Sequence, residues 1–576
     1  MMLILVDLTK FKWLMMKFDK VVFDIETTMT ADKVWCIICK HKDTYYQFKD
    51  GHNLNRFEEF AKQTKEFIGH NIIGFDVPVL NKFFGKDLFV NCKITDTLVL
   101  SRIFNPVIDG GHSLKNWGLK LGQQKIQFEQ FDYLSKEMLE YCRNDVELTE
   151  RLYKFLMIKM KNFGDSVKLE HEVATIIQGQ HERGFKLDVV GAYMLQSKFQ
   201  EDMTDLQNKV RETFPPLRLE EEFIPKSNNK ARGYVKGVPF IKVKIKEFNL
   251  GSRQQIAERL VRLGWKPKKK TDKGHIIVDE KVLSEIKNIP EAKLINRFLM
   301  LQKRIAQVSS WIEAVREDGR VHGKVITNGT ITGRMSHQSP NMAQVPAVHS
   351  TYGKECRELW IVEKGYKLVG VDASGLELRM LAHYMNDKDY IYEIINGDIH
   401  TANQTTAGLG SRDEAKTFIY AFIYGAGNRK IGSIIKGTER DGERIKEKFL
   451  RGTPSLKRLR EKVDRVAKRR WVKGLDQRKI IIRHQYSALN TLLQGAGAVV
   501  MKKSLTLLQE YVISKQIKAF PVVNVHDEFQ YEVQEDRAEE FGRLAVQSII
   551  DAGKQLNIRC PLDGKYKVGN NWSETH

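Results

Sequence analysis

The chain has 576 residues and carries 94 Lys and Arg against 72 Asp and Glu, a formal charge of +22 at pH 7. That length implies several domains. The positive excess must lie largely on the surface, where it suits a phosphate-rich partner bound with counterion release, although charge alone fits an RNA-binding or membrane-surface protein equally well. Six cysteines do not make a disulfide framework and point to a reducing cytoplasm.

The opening residues, MMLILVDLTKFKWLMM, are broken by Asp7, Lys10 and Lys12, so they are too short and too charged to span a membrane, and they lack a small-residue cleavage site. Nothing else suggests export or a membrane partner. Met16 begins MKFDKVVFDIETT, a natural first strand, which leaves translation from Met1 or from Met16 open. In FDIET, Asp24 and Glu26 stand two residues apart on that strand and project from one side of it. Cys36 and Cys39 form a C-x-x-C with no second pair at zinc spacing, the pattern of a plain buried strand. Further acids follow at Asp76 in GHNIIGFD and Asp145 in YCRND, with Tyr141 one helical turn before Asp145, while Asp96 in TDTLVL reads as a helix cap.

Residues 165–320 read mostly as long helices, interrupted by a basic middle with Lys226, Lys230, Arg232, Lys236, Lys242, Lys244 and Lys246. Lys268, Lys269 and Lys270 are phosphate contacts or a solvated loop in equal measure. Next comes TGRMSHQSPNMAQVP, with Thr332, Gly333, Arg334, Ser336, Pro340, Asn341, Gln344 and Pro346. In LVGVDASGLELRMLAHY an apolar run ends at Asp372 and a helical pattern follows, so Asp372 ends a strand and faces Glu377 one turn later. GDIHT holds His400. SRDEAKTFIYAFIYG opens with a Ser-x-x-Glu capping box at Ser411, and Arg412, Lys416, Tyr420 and Tyr424, spaced by four, share one helix face. Two cations one turn apart near a helix start suit a polyphosphate, and the two rings suit a sugar and a base, although an ordinary amphipathic helix has the same look.

The glycines of YGAGNRKIG miss the dinucleotide fingerprint spacing and read as the turn ending that helix. Lys457 to Arg470 is a charged helix that follows a template or is simply solvated. Asn490 and Gln494 stand in ALNTLLQ. Last, VVNVHDEFQYEV sets His526, Asp527 and Glu528 at the tip of a β-hairpin, with Phe529, Tyr531 and Val533 alternating as a half-buried strand. Adjacent carboxylates repel, so cations or a shared proton must keep them together; a metal site or a solvated turn both answer that.

The segments at Asp372, at Arg412 to Tyr424 and at Asp527, in that order, resemble motifs A, B and C of family A DNA polymerases, the bacterial DNA polymerase I group. The likeness extends in particular to the short replicative polymerases of short-tailed lytic bacteriophages. Asp24, Glu26, Asp76, Tyr141 and Asp145 resemble the proofreading 3′ to 5′ exonuclease of the same family, so the resemblance covers nearly the whole chain. It implies a multidomain α/β and α+β protein: an RNase H-like exonuclease at 1–160, then a right-hand polymerase with a thumb at 165–320, a palm at 321–390 and 500–576, and fingers at 391–499.

The resemblance also implies roles. Asp372, Asp527 and the Ala373 carbonyl would hold two Mg²⁺ ions, for which Mn²⁺ can substitute, with Glu528 the weaker ligand. Arg412, Lys416 and His400 would meet the deoxynucleoside triphosphate, Lys416 also protonating pyrophosphate. Glu377 beside Tyr420 would exclude a ribose 2′-hydroxyl, and Tyr424 would stack near the templating base. Arg334, Asn341, Gln344, Asn490, Gln494 and His526 would contact primer-template DNA. Asp24, Glu26, Asp76 and Asp145 would bind two further ions, with Tyr141 and Glu26 positioning water. There is no room for the 5′ nuclease domain of bacterial relatives. The Arg218 to Asn249 stretch is too short for the thumb module that recruits a thioredoxin clamp in some phage relatives, which argues against that partner. Whether a phage helicase-primase docks is left open. A nuclease keeping its polymerase half only as a DNA-binding scaffold would be expected to have lost Asp372, Asp527 or Lys416; all three are present.

Overall fold

The computed structural model describes residues 17–271 and 273–576; Met1 and Met16 lie outside them. It divides into two compact units. The first comprises the described residues up to Phe185 with His322–Gln344 and Val362–His576, and the second Lys186–Val321 with Val345–Ile361.

The first unit begins with a five-stranded mixed sheet built from β1 (Val21–Thr27), β2 (Val34–His41), β3 (Thr44–Lys49), β4 (Glu66–Gly69) and β5 (Lys93–Asp96), in the RNase H-like order β3-β2-β1-β4-β5. β2 runs antiparallel to β1 and β3, while β1, β4 and β5 run parallel. Alternation along β1 sends Phe23 and Ile25 into an aromatic core with Phe48, Phe57, Phe60 and Phe67. The opposite side, with Val22, packs with Cys142 and Val146 of the Lys136–Lys159 helix. Asp24 and Glu26 share that second side. Cys36 and Cys39, three apart on β2, fall into these two different cores, and all six cysteines are free thiols.

Later in the same unit an antiparallel sheet runs in the order Ala519–Val525, Glu528–Gln534, Tyr366–Ala373, Gly564–Gly569. One face joins the main core through Val369, Val371, Phe529, Tyr531 and Val533, together with residues of the Ala488–Ser514 and Ala538–Gln555 helices. The Glu528–Gln534 strand departs from the half-buried expectation. Gln530 and Glu532 on its polar side are 0% and 1% exposed. Arg183 donates twice to Glu532 (2.9 and 2.7 Å), and Thr575 donates to Gln530 (2.8 Å). Gly370 lets the C-terminal segment lie on this face, since a Cβ there would stand 2.3 Å from the Thr575 carbonyl oxygen. Polar alternation here marks a face that buries paired polar groups, and periodicity alone does not separate that from a wet face.

The second unit is built around the helices Val189–Thr213 and Pro290–Glu313, with a core that includes Val210, Phe214, Ile256, Leu260 and Ile295. The basic middle of this region forms an antiparallel ribbon, Leu217–Phe223 with Phe240–Lys246. Lys242, Lys244 and Lys246 lie on the ribbon; Lys226, Lys230, Arg232 and Lys236 lie in its connecting loop. Among the described residues no helix is long and apolar enough to cross a membrane.

Candidate functional site: two acid centres

Asp372 lies near the end of the Tyr366–Ala373 strand, directly across from Glu528. His526 and Asp527 form the two-residue turn between the neighbouring strands, with His526 at φ +57°. The Asp527 carbonyl accepts the Ala373 N–H (3.1 Å), which ties the turn to the strand end. Asp372, Ala373, Asp527 and Glu528 therefore meet at one corner of the sheet, although 155 residues separate the two aspartates in sequence. Burial, then the negative charges of Asp527 and Glu528, push the Asp372 carboxyl up to about 6. Glu528 is already engaged: one oxygen accepts from Trp572 Nε1–H (2.8 Å) and Gln530 Nε2 (2.7 Å), and the other lies 2.8 Å from His576 Nδ1.

Ser411 caps the Arg412–Ile423 helix by accepting the Glu414 N–H (3.2 Å). The reciprocal half of the capping box is displaced outward, because the Glu414 carboxylate takes the Gly410 N–H (2.9 Å). Ala415, Phe418, Ile419 and Phe422 bury one side of this helix, leaving Arg412, Lys416, Tyr420 and Tyr424 along the other. Asp398, the cap of the Ile399–Ala407 helix, holds Arg412 through Nε (2.5 Å) and Nη2 (3.2 Å). The His400 ring stands 6.4 Å from that of Tyr420, and Tyr420 6.4 Å from Tyr424. Glu377 accepts from Tyr424 Oη (2.8 Å) and Arg334 Nη2 (3.2 Å). Burial, then the charges of Glu377 and Asp527, raise the Tyr420 hydroxyl's pKa, so this helix face and the acid corner act on one another.

A buried ionic network lies beside Gly333, where a Cβ would stand 3.2 Å from Arg478 Nη1. Glu170 accepts from Arg478 Nη2 (2.5 Å) and Lys502 Nζ (2.7 Å), Asp476 also pairs with Arg478, and both cations donate to Asn328 Oδ1 at 3.0 Å. Asn341 and Gln344 are exposed around the Met342–Gln344 turn. Asn490 and Gln494 are half-buried near the start of the Ala488–Ser514 helix, and Asn490 Oδ1 is enclosed without a hydrogen-bond partner.

The second centre lies under β1. Ligand atoms of Asp24, Glu26 and Cys142 all fall within 4.8 Å of one another. Cys142 Sγ approaches the Asp24 carbonyl (3.5 Å) and Oδ2 (3.7 Å), and burial pushes its thiol well up, so it serves as a donor. Asp76 opens the Asp76–Phe84 helix and is buried. Lys125 donates to Asp145 Oδ2, while Asp145 Oδ1 is buried with no partner. Burial followed by the other carboxylates holds Asp24 well above the usual range; Glu26 is pushed up to about 9 and Asp76 to about 7, mainly by burial. Asp145 is raised less, because Lys125 opposes the effect of burial. Hard oxygen donors crowded together, one of them orphaned, suit a divalent cation. Asp96 is a cap, accepting from Leu98 N–H (2.8 Å), Asn71 N–H (2.8 Å) and Ile73 N–H (3.1 Å).

A family profile described as DNA polymerase family A matches residues 236–574. The chain belongs to that family. The DNA-directed DNA polymerase of Enterobacteria phage T3 is 32% identical, covering 96% of this chain and 100% of that protein. The corresponding enzyme of Escherichia phage T7 is 33% identical over 91% of this chain and 94% of its own. The solved structure of the POL domain of Pol1 from M. smegmatis, complexed with DNA primer-template and dNTP, shares this family A fold at a TM-score of 0.81 with 18% identity, covering 97% of both chains.

Sequence reading missed Lys125, Cys142, Trp572 and His576 as parts of these centres, and Asp398 as the partner of Arg412. Only Asp398, two residues before His400 at a helix start, carried a local signal, that of a cap. The others reach their centres by long-range packing.

Proposed function

We propose that this family A chain is a DNA-directed DNA polymerase that extends a primer on its template; one juxtaposition supports this, the Asp372–Asp527 corner beside the Arg412 to Tyr424 face. In the reaction the primer 3′-oxygen attacks the α-phosphorus, the bond to the β-phosphate oxygen breaks, and pyrophosphate leaves. Asp372, Asp527 and the Ala373 carbonyl would hold divalent ions, Mg²⁺ with Mn²⁺ as substitute, which when bound lower the pKa of the 3′-hydroxyl and offset phosphate charge. Burial and then the charges of Asp527 and Glu528 raise Asp372, and such ions would relieve both.

Arg412, released from Asp398, and Lys416 with His400 would meet the triphosphate, and Lys416 would give its proton to the leaving pyrophosphate. Glu377, fixed by Arg334 and Tyr424, would stand against a ribose 2′-hydroxyl beside Tyr420. Arg334, Asn341, Gln344, Asn490, Gln494 and His526 would line the primer-template.

The second centre fits 3′ to 5′ proofreading. Glu26 and Tyr141 would orient water for attack on the terminal phosphodiester, the P–O3′ bond would break, and a deoxynucleoside monophosphate would leave while the shortened primer regains its 3′-hydroxyl proton from solvent. Asp24, Glu26, Asp76 and Asp145 would hold the ions there. In this reading 1–160 is the exonuclease, 165–320 the thumb, 321–390 with 500–576 the palm, and 391–499 the fingers of a phage replicative enzyme acting in the host cytoplasm, where six free thiols are at home. A labelled primer-template incubated with and without deoxynucleotides tests both activities. Lengthening with nucleotides and shortening without them are expected; an unchanged primer in both overturns the reading.

A further inference from the structure

Lys125 stands in the second centre, paired with Asp145, but the hydrolysis proposed there gives it no role. It lies in the irregular segment after the Leu114–Leu121 helix. Gly118 permits the return of that segment, since a Cβ there would stand 2.4 Å from the Gln123 carbonyl oxygen. Asn144 Oδ1 accepts the Ile126 N–H (3.2 Å), the Phe131 carbonyl accepts Trp35 Nε1–H (2.8 Å), and the Phe128 ring stacks on Tyr141 at 5.3 Å. The Lys125 ammonium donates to Asp145 Oδ2 and sits 4.7 Å from the Tyr141 ring centroid. Lys125 and Tyr141 also line a groove of about 860 Å³, together with Arg102, His112, Lys115 and Phe128. The ammonium thus stands between the buried carboxylates and a cationic groove.

Resting on the exonuclease reading, we propose that Lys125 is a displaceable internal cation, which occupies Asp145 until a divalent ion takes that carboxylate and then turns its ammonium to a substrate phosphate in the groove. Two features support this. Asp24, Glu26, Asp76 and Asp145 present four carboxyl groups against this ammonium, so either kind of cation gains by drawing them into their ionised forms. Lysine is a compact charge on a flexible four-carbon stem, able to swing from one acceptor to another without moving the backbone. Lys125 is then a positioning residue for Asp145 and Tyr141 before metal binding, and a competitor of the metal for Asp145.

Removing such a competitor has an opposed signature: tighter metal binding with slower hydrolysis. The test compares Lys125→Met and Lys125→Arg in the full chain, with circular dichroism and the thermal midpoint verifying the fold. Mn²⁺ affinity is read by electron paramagnetic resonance with Asp372→Asn and Asp527→Asn added to silence the other centre. We expect K125M to bind Mn²⁺ about tenfold more tightly and to hydrolyse single-stranded DNA about 100-fold more slowly, with K125R partly restoring both. Unchanged or weaker Mn²⁺ binding by a folded K125M overturns the proposal, as does full-rate hydrolysis. If the parent itself leaves single-stranded DNA intact while K125M still tightens Mn²⁺ binding, the exonuclease reading fails and the competition for Asp145 stands.

Discussion

Asp372 reaches solvent at the end of a sheet strand, beside a two-residue turn that carries its partner Asp527. Asp24 and Glu26 on β1, Asp76 at a helix start and Asp145 on the Lys136–Lys159 helix are instead gathered inside the fold, which supplies Lys125 against them. The contrast continues in the buried network beside Gly333, where two acids, Glu170 and Asp476, face two cations, Arg478 and Lys502. A buried ionic set can be permanent when its charges balance. A set with more acids than cations is built for something cationic to arrive.

If the two acid centres share no ligand, their losses separate. Asp372→Asn or Asp527→Asn is expected to cut primer extension by about 10³-fold or more, since several kcal/mol of transition-state stabilisation disappears, while degradation of single-stranded DNA continues. Asp24→Ala with Glu26→Ala is expected to do the reverse and to let mismatched primer ends persist. Rates of extension and degradation on the same preparations check this, and joint loss of both activities would merge the centres.

The balanced network gives the next largest effect. Glu170→Gln leaves Arg478 and Lys502 buried without their common partner and is expected to cost about 3–5 kcal/mol. Calorimetry of the full chain should then show a lower unfolding midpoint. An unchanged midpoint would mean that the network is not under electrostatic load.

Tyr420 sharpens the polymerase side. A dideoxynucleotide lacks the 3′-hydroxyl and so leaves a polar hole in the pocket, which the Tyr420 hydroxyl can fill. An unpaired buried polar group costs about 1–3 kcal/mol, roughly a five- to 150-fold rate difference. The parent is expected to use both nucleotide types nearly equally, and Tyr420→Phe to restore discrimination in single-turnover competition. Equal discrimination by both would remove Tyr420 from the sugar contact.

The smallest expected effect concerns pH. Because the folded Glu26 carboxyl is raised to about 9, its protonated form favours the folded state; that contribution is full below the ordinary value near 4.5 and is lost as pH rises through about 9. In metal-free buffer, amide exchange in Val21–Thr27, corrected for its intrinsic pH dependence, should therefore report lower local stability at pH 8.5 than at pH 6. Mg²⁺ should remove most of the difference. Equal local stability at both values would mean that Lys125 already compensates the whole set.

The chain alone determined local placement wherever a short period or a local cap marks it. Asp24 and Glu26 two apart on a strand, the Arg412 to Tyr424 face spaced by four, the cap at Asp96 and the hairpin turn at Asp527 all follow from backbone repeats that any sequence displays. Tertiary structure alone decided that the Glu528–Gln534 strand buries both faces, that Glu528 is bound by Trp572 and His576, and that Lys125 meets Asp145. Those outcomes depend on which distant segment covers which face, and no local periodicity encodes the partner that will neutralise a buried polar group.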